Sequence, residues 1–114
     1  MNRIQASALA LIVALVPAPS FAGPNGFAIQ NGTGLVMTGL TIRNFPKGNW
    51  RELAGTASPG ARTVLKFEDA NCAFDIQATL QGVGPVVWKG VNLCEVKTVV
   101  LNRNAQGALW VDYE

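Results

Sequence analysis

The chain has 114 residues, of which 49% are apolar and 14% charged, with no histidine and a formal net charge of +2. A chain of this length builds one domain with a modest core. So small a charge excess is no basis for holding nucleic acid by its phosphates, and so apolar a composition excludes a disordered chain.

In chain order, residues 1–22 read as a secretory signal peptide. Met1-Asn2-Arg3 is a short positive head, Ala8 to Val16 is an apolar run, Pro17 and Pro19 break it, and Ser20-Phe21-Ala22 sets small residues before a cut. The run is shorter than the ~20 residues that span a bilayer. The mature protein is then expected to begin at Gly23 and to form a single β domain, residues 23–114, in the periplasm or outside the cell.

Phe27 to Gln30 reads as a first short strand, and Asn31-Gly32-Thr33-Gly34 as a tight hairpin turn. Leu35 to Arg43 is the next strand, with Val36, Thr38, Leu40 and Ile42 on one face. A loop follows from Asn44 to Asn49. Trp50 to Leu53 is a short strand or a single helical turn, and Ala54 to Ala61 a second loop. Arg62 to Glu68 alternates, with Thr63, Leu65 and Phe67 inward.

The stretch from Cys72 to Cys94 is the clearest. Cys72, Phe74, Ile76, Ala78 and Leu80 share one face, and Ala73, Asp75, Gln77 and Thr79 the other. Gln81 to Pro85 supplies turn residues and Val86-Val87-Trp88 restarts a strand, so Cys94 returns beside Cys72. In an oxidising compartment two cysteines pair. Closing this loop is worth about 3 kcal/mol in the chain-entropy account, against a total of ~5–15 kcal/mol for a small domain. Beyond Gly90, Val91 to Asn102 is apolar, with a slip of alternation at Cys94 to Lys97 that suggests a bulge or bend. Asn104 to Gly107 is a hairpin loop, and Leu109 to Tyr113 the last strand, with Trp110 out of phase with Leu109, Val111 and Tyr113. Six to eight short antiparallel strands with no helical period predict an all-β fold, a small immunoglobulin-like sandwich or barrel with one disulfide.

The residue types limit the chemistry. Without histidine, and with Ser58 the one serine after the leader, no Ser-His-Asp or Cys-His arrangement can be assembled. With both cysteines paired, the usual ligands of zinc, copper and iron are missing. No metal site, cofactor or catalytic set is expected. Glu68, Asp69 and Asn71 offer oxygens to calcium but read as an exposed turn. Asp75 stands in mid-strand on the outward face, solvated or salt-bridged, and pairing it with Glu95 or Asp112 as acid and base needs a geometry the sequence does not show. At least two of Trp50, Trp88 and Trp110 are expected to fill the core. Trp110 is the first candidate for exposure, and Trp50 with Arg51 the second, as a platform for sugars or an anchor for a partner.

Several motifs together carry a resemblance: Asn31 to Gly34, Trp50 to Leu53, Pro59-Gly60, Cys72 to Ile76, and Trp88 to Cys94 reading WKGVNLC. In these the chain resembles a group of short exported proteins of alphaproteobacteria and related bacteria. The resemblance implies export and brings no activity or catalytic residues. Members of that group that bear an argininosuccinate lyase label lend it no support here, because this chain is too short, not helical, and lacks the serine-containing loop of that chemistry. The expectation is an exported β protein that binds an envelope protein or a glycan without catalysis, through Trp110, Trp50, Arg51 and Asp75. Its alternatives are a carbohydrate- or peptidoglycan-binding module and an inhibitor or assembly subunit.

Overall fold

Eight strands and no helix occur among the described residues, which in this computed structural model are 23–94 and 96–114. The expected signal peptide and Glu95 lie outside them. The strands are β1 (Asn25–Gly32), β2 (Met37–Asn44), β3 (Arg51–Ala57), β4 (Arg62–Glu68), β5 (Ala73–Leu80), β6 (Gly84–Asn92), β7 (Thr98–Arg103) and β8 (Leu109–Tyr113). They form two four-stranded sheets, ordered β4-β1-β7-β8 and β3-β2-β5-β6. The fold is a β-sandwich. All neighbours are antiparallel except β1 and β7, which pair in parallel from Ala28↔Thr98 to Gly32↔Asn102.

Between the sheets lie the inward phases of the strands. Phe27 and Ile29 of β1, Leu40 and Ile42 of β2, Phe74, Ile76 and Leu80 of β5, Trp88 of β6, and Val99 and Leu101 of β7 are all buried. An edge-to-face contact joins Phe27 to Phe67 within one sheet, and a second, Phe67 to Phe74, crosses to the other. The Trp88 indole reaches across as well, and its Nε1–H donates to the Asn102 carbonyl at 3.0 Å.

The Cys72–Cys94 disulfide is present, its Cα atoms 5.1 Å apart. Cys72 lies just before β5 and Cys94 just after β6, so the bridge closes the open end of that hairpin. The slip at Cys94 to Lys97 is a change of sheet, not a bulge: β6 ends at Asn92 and β7 begins in the other layer.

Three other expectations are corrected. Asn31-Gly32-Thr33-Gly34 is no hairpin, since β1 and β2 lie in different sheets. Asn31 is instead a buried fastener. Its Nδ2 donates to the Leu35 and Ala57 carbonyls at 2.7 and 3.0 Å, and its Oδ1 accepts from the Thr33 N–H and hydroxyl. Its backbone bonds Gly60 and Ala61. Gly32 is needed for close approach, because a Cβ there would run into the Asn102 carboxamide. In β2 the inward phase changes: Met37 is buried, Thr38 and Gly39 are exposed, then Leu40 and Ile42 are buried. Against β5, a bulge between Thr38 and Thr41, made possible by Gly39 at φ +60°, inserts the extra residue that shifts the phase. Finally, Ala54 to Ala57, the start of the expected second loop, continues β3, because β2 pairs with it from Met37↔Ala57 to Leu40↔Ala54; tertiary pairing overrides weak local propensity.

Replacing Asn31 tests the fastener. Asn31→Ala leaves two carbonyls without their donor and should cost about 2–4 kcal/mol in urea unfolding. Asn31→Asp has the same shape but turns an acceptor onto both carbonyls. It should be at least as damaging at pH 7, and should partly recover in acid, where the carboxyl gains a proton to donate.

Candidate functional site

β5 supplies the key group. Asp75 has the outward phase expected for it, between inward Phe74 and Ile76, yet it is only 1% exposed. Solvation is therefore ruled out, and the reason lies across the strands. Arg43 of β2 is its direct partner in the ladder. The Arg43 Nε–H donates to Asp75 Oδ2 at 2.9 Å. On the other side β6 bulges: Ile76 faces Trp88 and Phe74 faces Val91, so Lys89 and Gly90 together oppose Asp75. Gly90, at φ +63°, turns its N–H onto Asp75 Oδ1 at 3.0 Å. The Phe45 ring lies beside Gly90, 3.7 Å from where a Cβ would stand. Alternation shows which face a side chain takes but not what lies over it.

With both oxygens engaged, the Asp75 carboxylate orients Arg43. The guanidinium carbon sits 4.6 Å from the centroid of the Trp50 ring, a cation–π stack. Asp75 takes only Nε. Neither terminal nitrogen of Arg43 bonds another described residue, and none of the buried side-chain nitrogens among these residues lacks a partner, so both reach solvent. The result is a fixed fork of N–H donors beside an aromatic plane, on the outer face of the β3-β2-β5-β6 sheet. Trp50 is 36% exposed, and Phe45 half-exposed, at the two ends of the wholly exposed loop from Phe45 to Trp50. Such a surface offers an apolar face for stacking, and donors for hydroxyl or carboxylate oxygens.

Arg51 stands nearby in a different role. Its guanidinium lies over Phe67, 5.0 Å from the ring centroid, and donates to Asn44 Oδ1 and Asp69 Oδ2, each at 3.2 Å. Asp69 Oδ1 accepts from the Asn71 backbone and side chain. Both oxygens of this acidic turn are therefore used internally. Partial burial alone would push the Asp69 carboxyl up, but the Asn71 N–H, the Arg51 guanidinium and the Asn71 side chain outweigh it and hold it below the usual range.

The structure thus brings Trp50 and Asp75 together through Arg43, with Arg51 on the adjoining edge. Trp110 stands elsewhere, 45% exposed on the outer face of the other sheet, paired with Asn102. Asp112 shares that face and accepts from Asn102 Nδ2, so it cannot meet Asp75. Glu95 is not among the described residues. Only Trp88 of the three tryptophans fills the core, not two: Trp50 precedes β3 and Trp110 has the outward phase. Sequence reasoning missed Arg43 and Phe45. The cue was a cation at the end of β2, one turn of loop away from two aromatics, but the register that sets Arg43 against Asp75 is a long-range fact. No protein family, curated protein or solved structure matches this chain.

Two measurements probe this arrangement. A double-mutant cycle on Arg43→Ala and Asp75→Ala should give a coupling of about 1–3 kcal/mol in stability, whereas additive losses would mean that the pair is incidental. For Asp69, a folded-state carboxyl held below its unfolded value of about 3.9 stabilises the protein above that pH and ceases to do so as pH falls through the folded value. The stability gap between the native protein and Asp69→Asn should accordingly be open at pH 6 and narrow as the pH falls below about 3.9.

Proposed function

We propose that this is an exported binding protein of the bacterial envelope that acts without catalysis, and that its ligand seats on Trp50, Phe45 and the Arg43 fork. One observation carries the reading. A carboxylate is buried to hold a guanidinium whose donors face outward, although burying charge opposes stability unless it is well compensated. Export accords with the disulfide, since such bridges persist in oxidising compartments.

A glycan, including the glycan strands of peptidoglycan, is the ligand class that uses every part. A sugar's apolar face stacks on a tryptophan or phenylalanine ring, and its hydroxyl or carboxylate oxygens accept from the fork. An envelope protein presenting an acidic or amide side chain would use the same elements, with Trp50 as anchor. The inhibitor or assembly-subunit reading draws on another place, β8. This edge strand of five residues carries exposed Trp110 and Tyr113, and an edge invites strand addition.

Isothermal titration with soluble peptidoglycan fragments and a panel of envelope glycans decides between them. Binding should fall at least tenfold in Trp50→Ala and in Arg43→Gln, and should be unchanged in Trp110→Ala. Loss confined to the Trp110 variant would move the site to β8, and a panel that binds nowhere would remove the glycan reading.

A further inference from the structure

The outer face of the β4-β1-β7-β8 sheet carries a groove that the Trp50 surface does not involve, with a volume of about 340 Å³. We propose that it binds a single-chain carboxylate amphiphile, a fatty acid. Along β4 the outward residues are Arg62, Val64 and Lys66. Val64 is 70% exposed, an apolar side chain on a solvent face between two cations. It is paired with Ala28 of β1, which is paired in turn with Thr98 of β7. Phe27 and Ile29 point into the core, so Ala28 faces outward, yet it is only 1% exposed. Ala28, Val64, Leu65 and Val96 supply the apolar lining of the groove, with Leu65 and Val96 also packed against the core.

The charge at the rim is of one sign. Arg62, Lys66 and Lys97 line the groove and no acidic residue does. Arg62 gives one terminal nitrogen to Thr98 Oγ1 at 3.3 Å, and neither lysine forms an ion pair among the described residues. An apolar lining beside cations that form no ion pair among the described residues complements an anionic head on an apolar tail. The volume is at the lower end for small-molecule sites, ~300–1,000 Å³, which suits one chain and not the paired chains of a phospholipid.

The test is a titration of the whole mature protein with octanoate, decanoate and laurate, each below its micelle concentration. It is read by calorimetry and by amide chemical shifts. Affinity should rise roughly three- to fourfold with each added methylene, and the shifts should centre on Ala28, Val64 and Lys97. Val64→Asn, a surface change that leaves the core untouched, should flatten the chain-length dependence, and Lys66→Gln with Lys97→Gln should weaken laurate at least fivefold. A flat series, in which acetate competes as well as laurate, would overturn the tail. Dodecyl maltoside binding as tightly as laurate would overturn the anionic head. Shifts centred on Trp50 and Phe45 would overturn the location while leaving the glycan site to its own test.

Discussion

Every change of sheet in this sandwich leaves backbone donors and acceptors that no ladder can pair, and buried groups of that kind must find partners. The Asn31 carboxamide meets this constraint at one end of the molecule. The chain passes from one layer to the other between β1 and β2, and returns between β3 and β4. Asn31 holds both passages, with its side chain on Leu35, Ala57 and Thr33 and its backbone on Gly60 and Ala61. At the opposite end the passages between β4 and β5 and between β6 and β7 are joined by Cys72–Cys94, with the Leu93 N–H donating to the Cys72 carbonyl. One polar fastener and one covalent fastener thus fix the same topological problem at the two ends. In a small core, removing either leaves strands free to slip.

The candidate site depends on that frame. Asp75 follows Cys72 by three residues, and Gly90 precedes Cys94 by four, so the bridge bounds the register that sets Gly90 N–H on the carboxylate. A one-residue slip of β5 against β2 would part Asp75 from Arg43 and turn Phe74 out of the core. Core packing therefore enforces the polar contact: Phe74 and Ile76 are buried, and Asp75 has no freedom of its own.

What the sequence showed and what it hid divide along physical lines. The alternation of β4, β5 and β8 and the pairing of Cys72 with Cys94 were legible, because the first follows from local period and the second from a hairpin that returns Cys94 beside Cys72. Asn31-Gly32 misled because a strong turn signal is a statement about local dihedrals, and here the asparagine uses its side chain for long-range bonding. Gly39 misled in the opposite way: a single positive φ shifted the inward phase of β2, which no alternation count can anticipate. The burial of Asp75 was invisible since its cover comes from Arg43, 32 positions earlier, and from a bulge in β6. Local pattern reports the strand, and the neighbour across the sheet decides the side chain's surroundings.

Two arginines of the same sheet make a natural comparison. Arg51 lies over Phe67 and binds Asp69, and Arg43 lies over Trp50 and binds Asp75. The Arg51 set has an architectural purpose. It ties β3 to the crossing after β4, which no ladder joins to β3, over a phenylalanine that packs against the core. The Arg43 set ties β2 and β5, already paired at Arg43↔Asp75, to the bulge of β6, where Asp75 takes the Gly90 N–H. It adds the fixing of Trp50 and the loop that begins at Phe45, an exposed segment on which the core does not depend. Architecture accounts for the first constellation and for the Asp75–Gly90 bond of the second, and leaves over the Arg43 fork stacked on Trp50. A buried carboxylate that positions surface donors beside an aromatic ring is the arrangement a ligand would need, and it stands where a ligand has access.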